Sequence, residues 1–346
     1  MYSKSKKISR RDFLKISGIG LAGVFFGSTI APWIRRIQQP ITNVTILRED
    51  SYQNNLEDSL RRGIAQYPNI LKKIQGGRVV LKPNLVDHYP NRPLNTHPAM
   101  LAATIAAFRQ LGAQEVIVAE GPGHNRDTEM IVEQSGVAQI LKDERVRFVD
   151  LNLDDCTPVD LVSRYTQLSR IFFPHTVLGA DLVVSMPKLK THHWAGVTLS
   201  LKNLFGIIPG IKYGWPKNFL HWHGISQSIA DIATTIAPGF AIVDGIVGME
   251  GDGPLHGSGV DSNVVIMGDN LTAVDATAVR LMGFHPERIQ HLLLMMPYGG
   301  TINEMRIKQI GESLASSQIF FQPPPIIMAN INQAPSFWHK ALVSGW

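Results

Sequence analysis

Short apolar runs rich in β-branched residues alternate with helix-spaced apolar positions along most of this 346-residue chain. Strand-like runs lie at 43–47, 78–82, 115–119, 146–149, 170–173, 181–185, 240–243 and 264–267. Helix-spaced stretches lie at 54–67, 98–111, 128–134, 197–204, 225–236 and 271–282. This alternation predicts an α/β fold with a mainly parallel, Rossmann-like sheet and helices on both faces.

Polar side chains follow four of these strands at the point where each strand ends. The four ends are Lys82-Pro83-Asn84, Glu120-Gly121-Pro122-Gly123, Lys188-Leu189-Lys190 with His192-His193, and Asp244-Gly245. Because the carboxyl ends of parallel strands share one edge of a sheet, we expect these residues to face a single crevice. Lysines there would attract a carboxylate or phosphate, and Asn84 would orient it. The competing interpretation is a set of surface lysines that are simply solvated.

Four histidines lie close together in sequence, at 192, 193, 221 and 223. His221 and His223 can point to one side of an extended segment, and Asp244, Glu250 or Asp252 could add a carboxylate. Such a set is typical of a two-histidine, one-carboxylate site for a divalent metal. The alternative is a pair of hydrogen-bonded histidines that pack beside aromatic residues.

The glycine-rich stretch 244–259 is expected to be a loop, either a lid or merely exposed.

The charge distribution argues against a nucleic-acid partner. The formal net charge is +5, but residues 1–39 hold eight basic residues and one acidic residue, a net +7, so the remainder carries −2. The basic residues that would suggest nucleic-acid binding therefore belong to the N-terminus.

The single cysteine, Cys156, excludes an internal disulfide and an iron–sulfur cluster held by this chain alone.

The N-terminus has the pattern of a twin-arginine export signal. Ser9-Arg10-Arg11-Asp12-Phe13-Leu14-Lys15 precedes an uncharged, mostly apolar stretch at 16–34. We expect the Tat translocase to export the chain to the periplasm or the outer face of the cytoplasmic membrane. Retention of 16–34 as a membrane tether is the alternative to cleavage. The predicted organisation is a signal at 1–39, an α/β body at 40–300 and a C-terminal extension at 301–346.

A set of motifs between about residues 42 and 285 resembles the family called domain of unknown function 362. The motifs are Lys82-Pro83-Asn84, Thr96-His97-Pro98, Pro187-Lys188-Leu189-Lys190-Thr191-His192, Gly196-Val197-Thr198, Leu201-Lys202-Asn203-Leu204-Phe205-Gly206, Asp244-Gly245, Glu250-Gly251-Asp252-Gly253-Pro254 and Ala273-Val274-Asp275-Ala276. Some similar proteins carry fused ferredoxin-like modules, from which this single-cysteine chain departs. The resemblance implies one pocket that holds Lys82, Lys188, Lys190, Lys202, Asn203, Asp244 and Glu250.

The leading hypothesis is an exported enzyme that acts on a small anionic substrate. Five residues would bind the substrate: Lys82, Asn84, Lys188, Lys190 and Asn203. Lys202, His192 or Glu250 would transfer a proton, because a lysine shielded from water becomes a usable base. A divalent metal at His221, His223, Asp244 and Asp252 is an optional addition. The rival hypothesis is a non-catalytic carrier of a metal or cofactor that serves exported redox enzymes.

Overall fold

A ten-stranded mixed sheet forms the centre of the protein. The computed structural model describes residues 41–124 and 127–325, and the predicted export signal lies outside these residues. The strands are β1 (Thr42–Arg48), β2 (Arg78–Pro83), β3 (Glu115–Glu120), β4 (Arg147–Asp150), β5 (Cys156–Asp160), β6 (Arg170–Pro174), β7 (Leu182–Met186), β8 (Lys188–His192), β9 (Gly196–Thr198), β10 (Phe240–Glu250), β11 (Ser258–Gly268) and β12 (Ile307–Gly311).

The strand order of the sheet is β12-β1-β11-β10-β7-β2-β3-β4; off this path, β8 pairs with β10, and β9 pairs with β8. From β10 to β4 each strand runs parallel to its neighbour, whereas β11 is antiparallel to both β1 and β10. The remaining strands, β5 and β6, form a separate antiparallel pair. These pairings confirm the predicted α/β fold with a mainly parallel sheet.

Helices surround the sheet because its inner strands are apolar on both faces. In β2, Val79 and Leu81 pack into a core cluster with Leu60 and Ile105, and Val80 is fully buried on the opposite face. The helices are α1 (Leu56–Ile64), α2 (Pro68–Ile74), α3 (Pro98–Gln110), α4 (Thr128–Gln134), α5 (Val137–Asp143), α6 (His175–Leu178), α7 (Ser200–Asn203), α8 (Gly210–Tyr213), α9 (Asn218–Trp222), α10 (Ile225–Ile236), α11 (Leu271–Leu281), α12 (Gln290–Met295) and α13 (Leu314–Ser317). Within the described residues, no helix is both long and apolar enough to cross a membrane.

The predicted loop at 244–259 is wrong, because most of it is β-hairpin. Strand β10 continues through Asp244 and Gly245 to Glu250, and β11 begins at Ser258. A Cβ atom on Gly248 would lie 2.9 Å from the backbone oxygen of Leu189 in β8. The glycines of β10 therefore permit the close approach of β8 and do not mark a turn. Only residues 251–257, between the two strands, lie outside the hairpin strands.

The predicted helix at 197–204 is also partly wrong. Its first residues belong to β9, which pairs with β8, and only the four residues of α7 are α-helical before a 3₁₀ turn at Leu204–Ile207. The segment after residue 300 contributes to the body as well, since β12 pairs in parallel with β1 at the edge of the central sheet.

Candidate ligand-binding site

A cavity of about 370 Å³ lies at the carboxyl ends of β2 and β3 and beside β8. Its volume falls within the range of about 300–1,000 Å³ that is usual for small-molecule sites. Its polar lining includes Lys82, Asn84, Glu120, Lys190, His192, His193, Thr198, Lys202, Asn203, Lys217 and His221. Within the described part of the chain, Glu120 is the one carboxylate that lines the cavity, so lysines outnumber carboxylates by four to one.

Lys82 and Glu120 neutralise each other in one wall of the cavity. The Lys82 Nζ lies 2.5 Å from Glu120 Oε2, 2.9 Å from the oxygen of Pro83 and 3.0 Å from Asn203 Oδ1. Both charged side chains are 1% exposed. Burial lowers the pKa of Lys82, and the Glu120 charge opposes that change. With three acceptors, the Lys82 ammonium has no N–H left for a ligand.

Lys190 and Lys217 are fully buried lysines whose amino groups bond only to backbone oxygens. The Lys190 Nζ donates to the oxygen of Leu94 at 2.7 Å. The Lys217 Nζ donates to the oxygens of Gly121 and Gly206 at 2.7 and 3.3 Å. Burial lowers the pKa of Lys217 to about 7, and burial with the nearby lysine charges lowers that of Lys190 well below its ordinary value. Neither amino group has a carboxylate partner among the described residues.

Lys202 differs from the other cavity lysines because its amino group contacts an aromatic ring. Its Nζ lies 4.8 Å from the centre of the Phe205 ring and makes no hydrogen bond within the described residues. Burial, helped by the charge of Lys82, lowers the pKa of Lys202 to about 8. At neutral pH the ammonium form of Lys202 therefore predominates, but a rise in pH of about one unit gives a comparable amount of the neutral amine.

The hydrogen bonds of two histidines fix which ring nitrogen carries the proton. His192 Nδ1 accepts the N–H groups of Trp194 and Ala195, both at 3.1 Å, so the neutral ring is protonated at Nε2. His221 Nδ1 donates to the oxygen of Lys217 at 3.1 Å, which leaves a lone pair on Nε2. Burial and the Lys202 charge lower the pKa of His221 to about 4 and that of His192 well below 6.5. Both rings are thus neutral at pH 7.

Asp275 of α11 holds the helix that carries Lys202 and Asn203. Its carboxylate accepts from Ser200 N at 2.8 Å, Ser200 Oγ at 2.5 Å and Leu201 N at 3.0 Å. These N–H groups belong to the first turn of α7, which lacks a side-chain cap of its own. Burial raises the pKa of Asp275 to about 7 while the donors oppose that change. Asp275 therefore sets the position of α7 at the cavity.

Lys188 lies in a different groove from the other predicted lysines. Its Nζ donates to Asp244 Oδ2 and Tyr52 Oη, both at 2.8 Å, and Tyr52 donates to Asp244 Oδ1 at 2.7 Å. Tyr52 stacks on His97 with ring centres 3.7 Å apart. Lys188 faces the groove that Tyr52 and His97 line, where Asp244 neutralises its charge, and it does not line the cavity.

The predicted metal set does not assemble. Asp244 is engaged by Lys188, Asp252 is exposed, and His223 Nδ1 donates to the oxygen of Phe219 at 2.8 Å outside the cavity. Over residues 41–124 and 127–325, no group of three or more His, Cys, Asp or Glu side chains could hold a metal ion.

Glu250 does not reach the cavity either. It lies at the end of β10, where its Oε2 accepts the N–H of Gln322 at 2.8 Å. The predicted pocket thus divides, and the cavity gathers Lys82, Asn84, Lys190, His192, Lys202 and Asn203, together with His221 from the predicted metal set.

The part of the chain that forms this cavity matches a known protein family. The family described as "Domain of unknown function (DUF362)" matches residues 79–280, which is more than half of the chain. The chain belongs to this family. The match includes the lysines, histidines and asparagines of the cavity lining, so the cavity lies within the DUF362 domain.

Two other proteins are similar to this member of the DUF362 family. "Thylakoid-associated protein sll1697" of Synechocystis sp. (strain ATCC 27184 / PCC 6803 / Kazusa) is 27% identical over 262 residues, which are 72% of this chain and 77% of that protein. A lactate racemase apoprotein from Thermoanaerobacterium thermosaccharolyticum has a TM-score of 0.42 and 15% identity. That likeness covers 69% of this chain and 57% of the racemase, so the chain spans little more than half of the racemase's length.

Several residues that line the cavity of this DUF362 domain were not predicted from the sequence, among them Lys217 and Thr198. Lys217 lies in an irregular aromatic stretch with no hydrophobic period, so nothing local distinguishes it from a solvated lysine. Thr198 belongs to the motif Gly196-Val197-Thr198, but the sequence pattern assigned it to a helix, whereas it lies in β9. Its pairing with Lys190 across β8 and β9 brings it to the cavity.

Proposed function

We propose that the protein is an enzyme that binds a small anionic substrate in this cavity. One observation carries the proposal: Lys190, Lys202 and Lys217 line the cavity without a carboxylate partner among the described residues. Burying charges without counter-charges is costly, so an anion that enters the cavity replaces the missing partner. Asn84 and Asn203, which were expected to orient the substrate, line the same cavity.

In this proposal Lys202 transfers a proton to or from the bound substrate. Its pKa of about 8 lies close to neutral pH, where a general acid or base works best. His192 offers an Nε2–H that would hold an oxygen of the substrate, and His221 offers the lone pair of its Nε2. Glu250 has no part in this step because it binds the backbone of Gln322.

Calorimetry with sulfate and succinate tests the binding step. The Lys190→Met variant should bind these anions at least about tenfold more weakly, since a hydrogen bond to a charged group contributes about 1.5–3 kcal/mol. Lys212→Met is the matched control, because Lys212 is exposed, lies over the Phe172 ring and does not line the cavity. Equal affinities for the wild type and Lys190→Met would refute the anion site.

Deuterium exchange tests the chemical step. Small carboxylic acids and phosphate esters are incubated with the protein in D₂O, and mass spectrometry detects deuterium that enters a C–H position. Exchange should occur with the wild type and Lys212→Met and be lost in Lys202→Met. If compounds bind but none of them exchanges deuterium, the result would instead support the rival function, a carrier that holds its ligand unchanged.

We also propose that the Tat translocase exports the chain to the outer face of a membrane or to the periplasm. The twin-arginine pattern at 9–15 and the thylakoid association in the name of the Synechocystis relative support this location. Cell fractionation of an Arg10→Lys/Arg11→Lys variant should find the protein in the cytoplasm, whereas Lys6→Arg/Lys7→Arg should be exported normally. Export of the first variant at the normal rate would contradict a Tat route.

A further inference from the structure

Two buried side-chain oxygens in the wall of the cavity lack hydrogen-bond partners among the described residues. Asn84 Oδ1 and Thr198 Oγ1 are both shielded from solvent, and neither bonds to any described residue. The Asn84 backbone is nevertheless well fixed, since its N–H donates to Thr96 Oγ1 at 2.8 Å and its oxygen accepts the Thr96 N–H at 2.9 Å. Buried polar atoms are nearly always paired in folded proteins, so both atoms indicate a missing partner.

The chemistry of the missing partner follows from what surrounds the two atoms. Asn84 Oδ1 only accepts hydrogen bonds, so it would repel a carboxylate or phosphate oxygen. A ligand ammonium would satisfy Asn84 but would meet the charges of Lys190, Lys202 and Lys217 in the same cavity. A hydroxyl group is neutral, donates one hydrogen bond and accepts others, so it suits both Asn84 Oδ1 and Thr198 Oγ1.

The lysines lie beside these neutral groups. Thr198 is directly opposite Lys190 in the β8–β9 pair, and the Lys190 ammonium uses only one of its three N–H groups, on the oxygen of Leu94. A ligand that reaches Thr198 with a hydroxyl can therefore present an anionic group to Lys190.

We propose that the ligand of this cavity is a small hydroxylated anion, with Asn84 and Thr198 as the residues that select its hydroxyl group. The inference rests on the proposed anion site and adds the second functional group of the ligand. The anionic group meets the unpaired lysines, and the hydroxyl donates to Asn84 Oδ1 and shares a hydrogen bond with the Thr198 hydroxyl.

Calorimetry with three matched pairs of compounds tests this inference. The pairs are malate with succinate, glycerate with propionate, and glycerol 3-phosphate with propyl phosphate. For at least one pair, the wild type should bind the hydroxylated compound about 10- to 100-fold more tightly, because the other compound leaves buried acceptors unsatisfied. Thr198→Val and Asn84→Leu keep similar volumes without the polar group, and each should reduce this preference to about threefold or less. Thr198→Ser retains the hydroxyl and should restore it.

The outcomes separate the two proposals. Equal binding within every pair, with both members weakened by Lys190→Met, would overturn the hydroxyl inference and leave the anion site intact. Binding of none of the six compounds would overturn both. A preference that survives unchanged in Thr198→Val and in Asn84→Leu would show that other residues select the hydroxyl, and the assignment would fail.

Discussion

At the scale of single residues, the unpaired lysines predict that anion binding depends on pH near neutrality. Burial lowers the pKa of Lys217 to about 7 and that of Lys202 to about 8, so both lose their charge as pH rises from about 6.5 to 8.5. Sulfate stays doubly charged throughout and should bind progressively more weakly, by up to about tenfold per pH unit for each proton that is lost. Ordinary lysines would keep their charge until about pH 10. A flat affinity across this range, measured by calorimetry, would contradict the lowered pKa values.

The buried pair of Lys82 and Glu120 predicts a large loss of stability when one partner is removed. Lys82→Met leaves the Glu120 carboxylate buried without its counter-charge, so the free energy of unfolding should fall by about 3–5 kcal/mol. Lys82→Met/Glu120→Gln removes both charges and should lose less. Arg78→Met, at the exposed start of the same strand, breaks a surface pair with Glu115 and should cost about 1 kcal/mol or less. Urea unfolding measures all three, and a loss in Lys82→Met as small as in Arg78→Met would be inconsistent with a buried ion pair.

The sequence predicted which residue types meet at the sheet edge but not which charges are already neutralised. Lys82 and Lys190 follow from lysines at the ends of strands, and both line the cavity. Lys188 has the same local pattern, yet it pairs with Asp244, which is 56 residues further along the chain. That pairing depends on the register between β8 and β10, which no local pattern determines.

At the scale of elements, Asp275 connects α11 to the site through α7. Asp275→Asn keeps the shape of the side chain but replaces one accepting oxygen with an N–H₂ group that faces backbone donors. We expect a loss of about 1–3 kcal/mol in unfolding free energy and weaker sulfate binding, because Lys202 and Asn203 lose their fixed position. Urea unfolding and calorimetry measure the two effects.

Asp231 of α10 provides the matched control for Asp275. It is equally buried, and it accepts from Ser163 Oγ, Tyr165 N and Thr166 in a loop that does not line the cavity. Asp231→Asn should lose comparable stability and bind sulfate like the wild type. If both variants lost affinity to the same extent, the effect of Asp275 would be general destabilisation and not positioning of α7.

The elements that the sequence predicted well are those with a strong local period and clear ends. Strands β2 and β3 and helices α3 and α11 lie within one or two residues of their predicted bounds. The errors at 197–204 and 244–259 occur where tertiary contacts override local preference. Glycine usually weakens a strand, but in β10 it is required because β8 approaches too closely for a Cβ atom.

At the scale of the whole molecule, the class of fold followed from the sequence and the strand order did not. Alternating strands and helices predict a parallel sheet, but β11 enters antiparallel through a hairpin, and β12 returns to pair with β1 after more than 250 residues. Such pairings depend on long-range packing. The C-terminal segment 307–322 shows the consequence, because a region that the sequence separated from the body is bound to it at several places.

The C-terminal segment 307–322 predicts a specific effect of truncation. Beyond β12, Phe321 is 5% exposed and its N–H donates to the oxygen of Met282, while Glu250 accepts the N–H of Gln322. A chain that ends at residue 300 loses the buried Phe321, which alone contributes about 1.5–3 kcal/mol, and leaves β1 as an unpaired edge. It should unfold at a lower urea concentration and aggregate on size-exclusion chromatography. A chain that ends at residue 325 keeps every one of these contacts and should behave like the full chain. Equal unfolding midpoints for the two truncated chains would show that 307–322 does not stabilise the body.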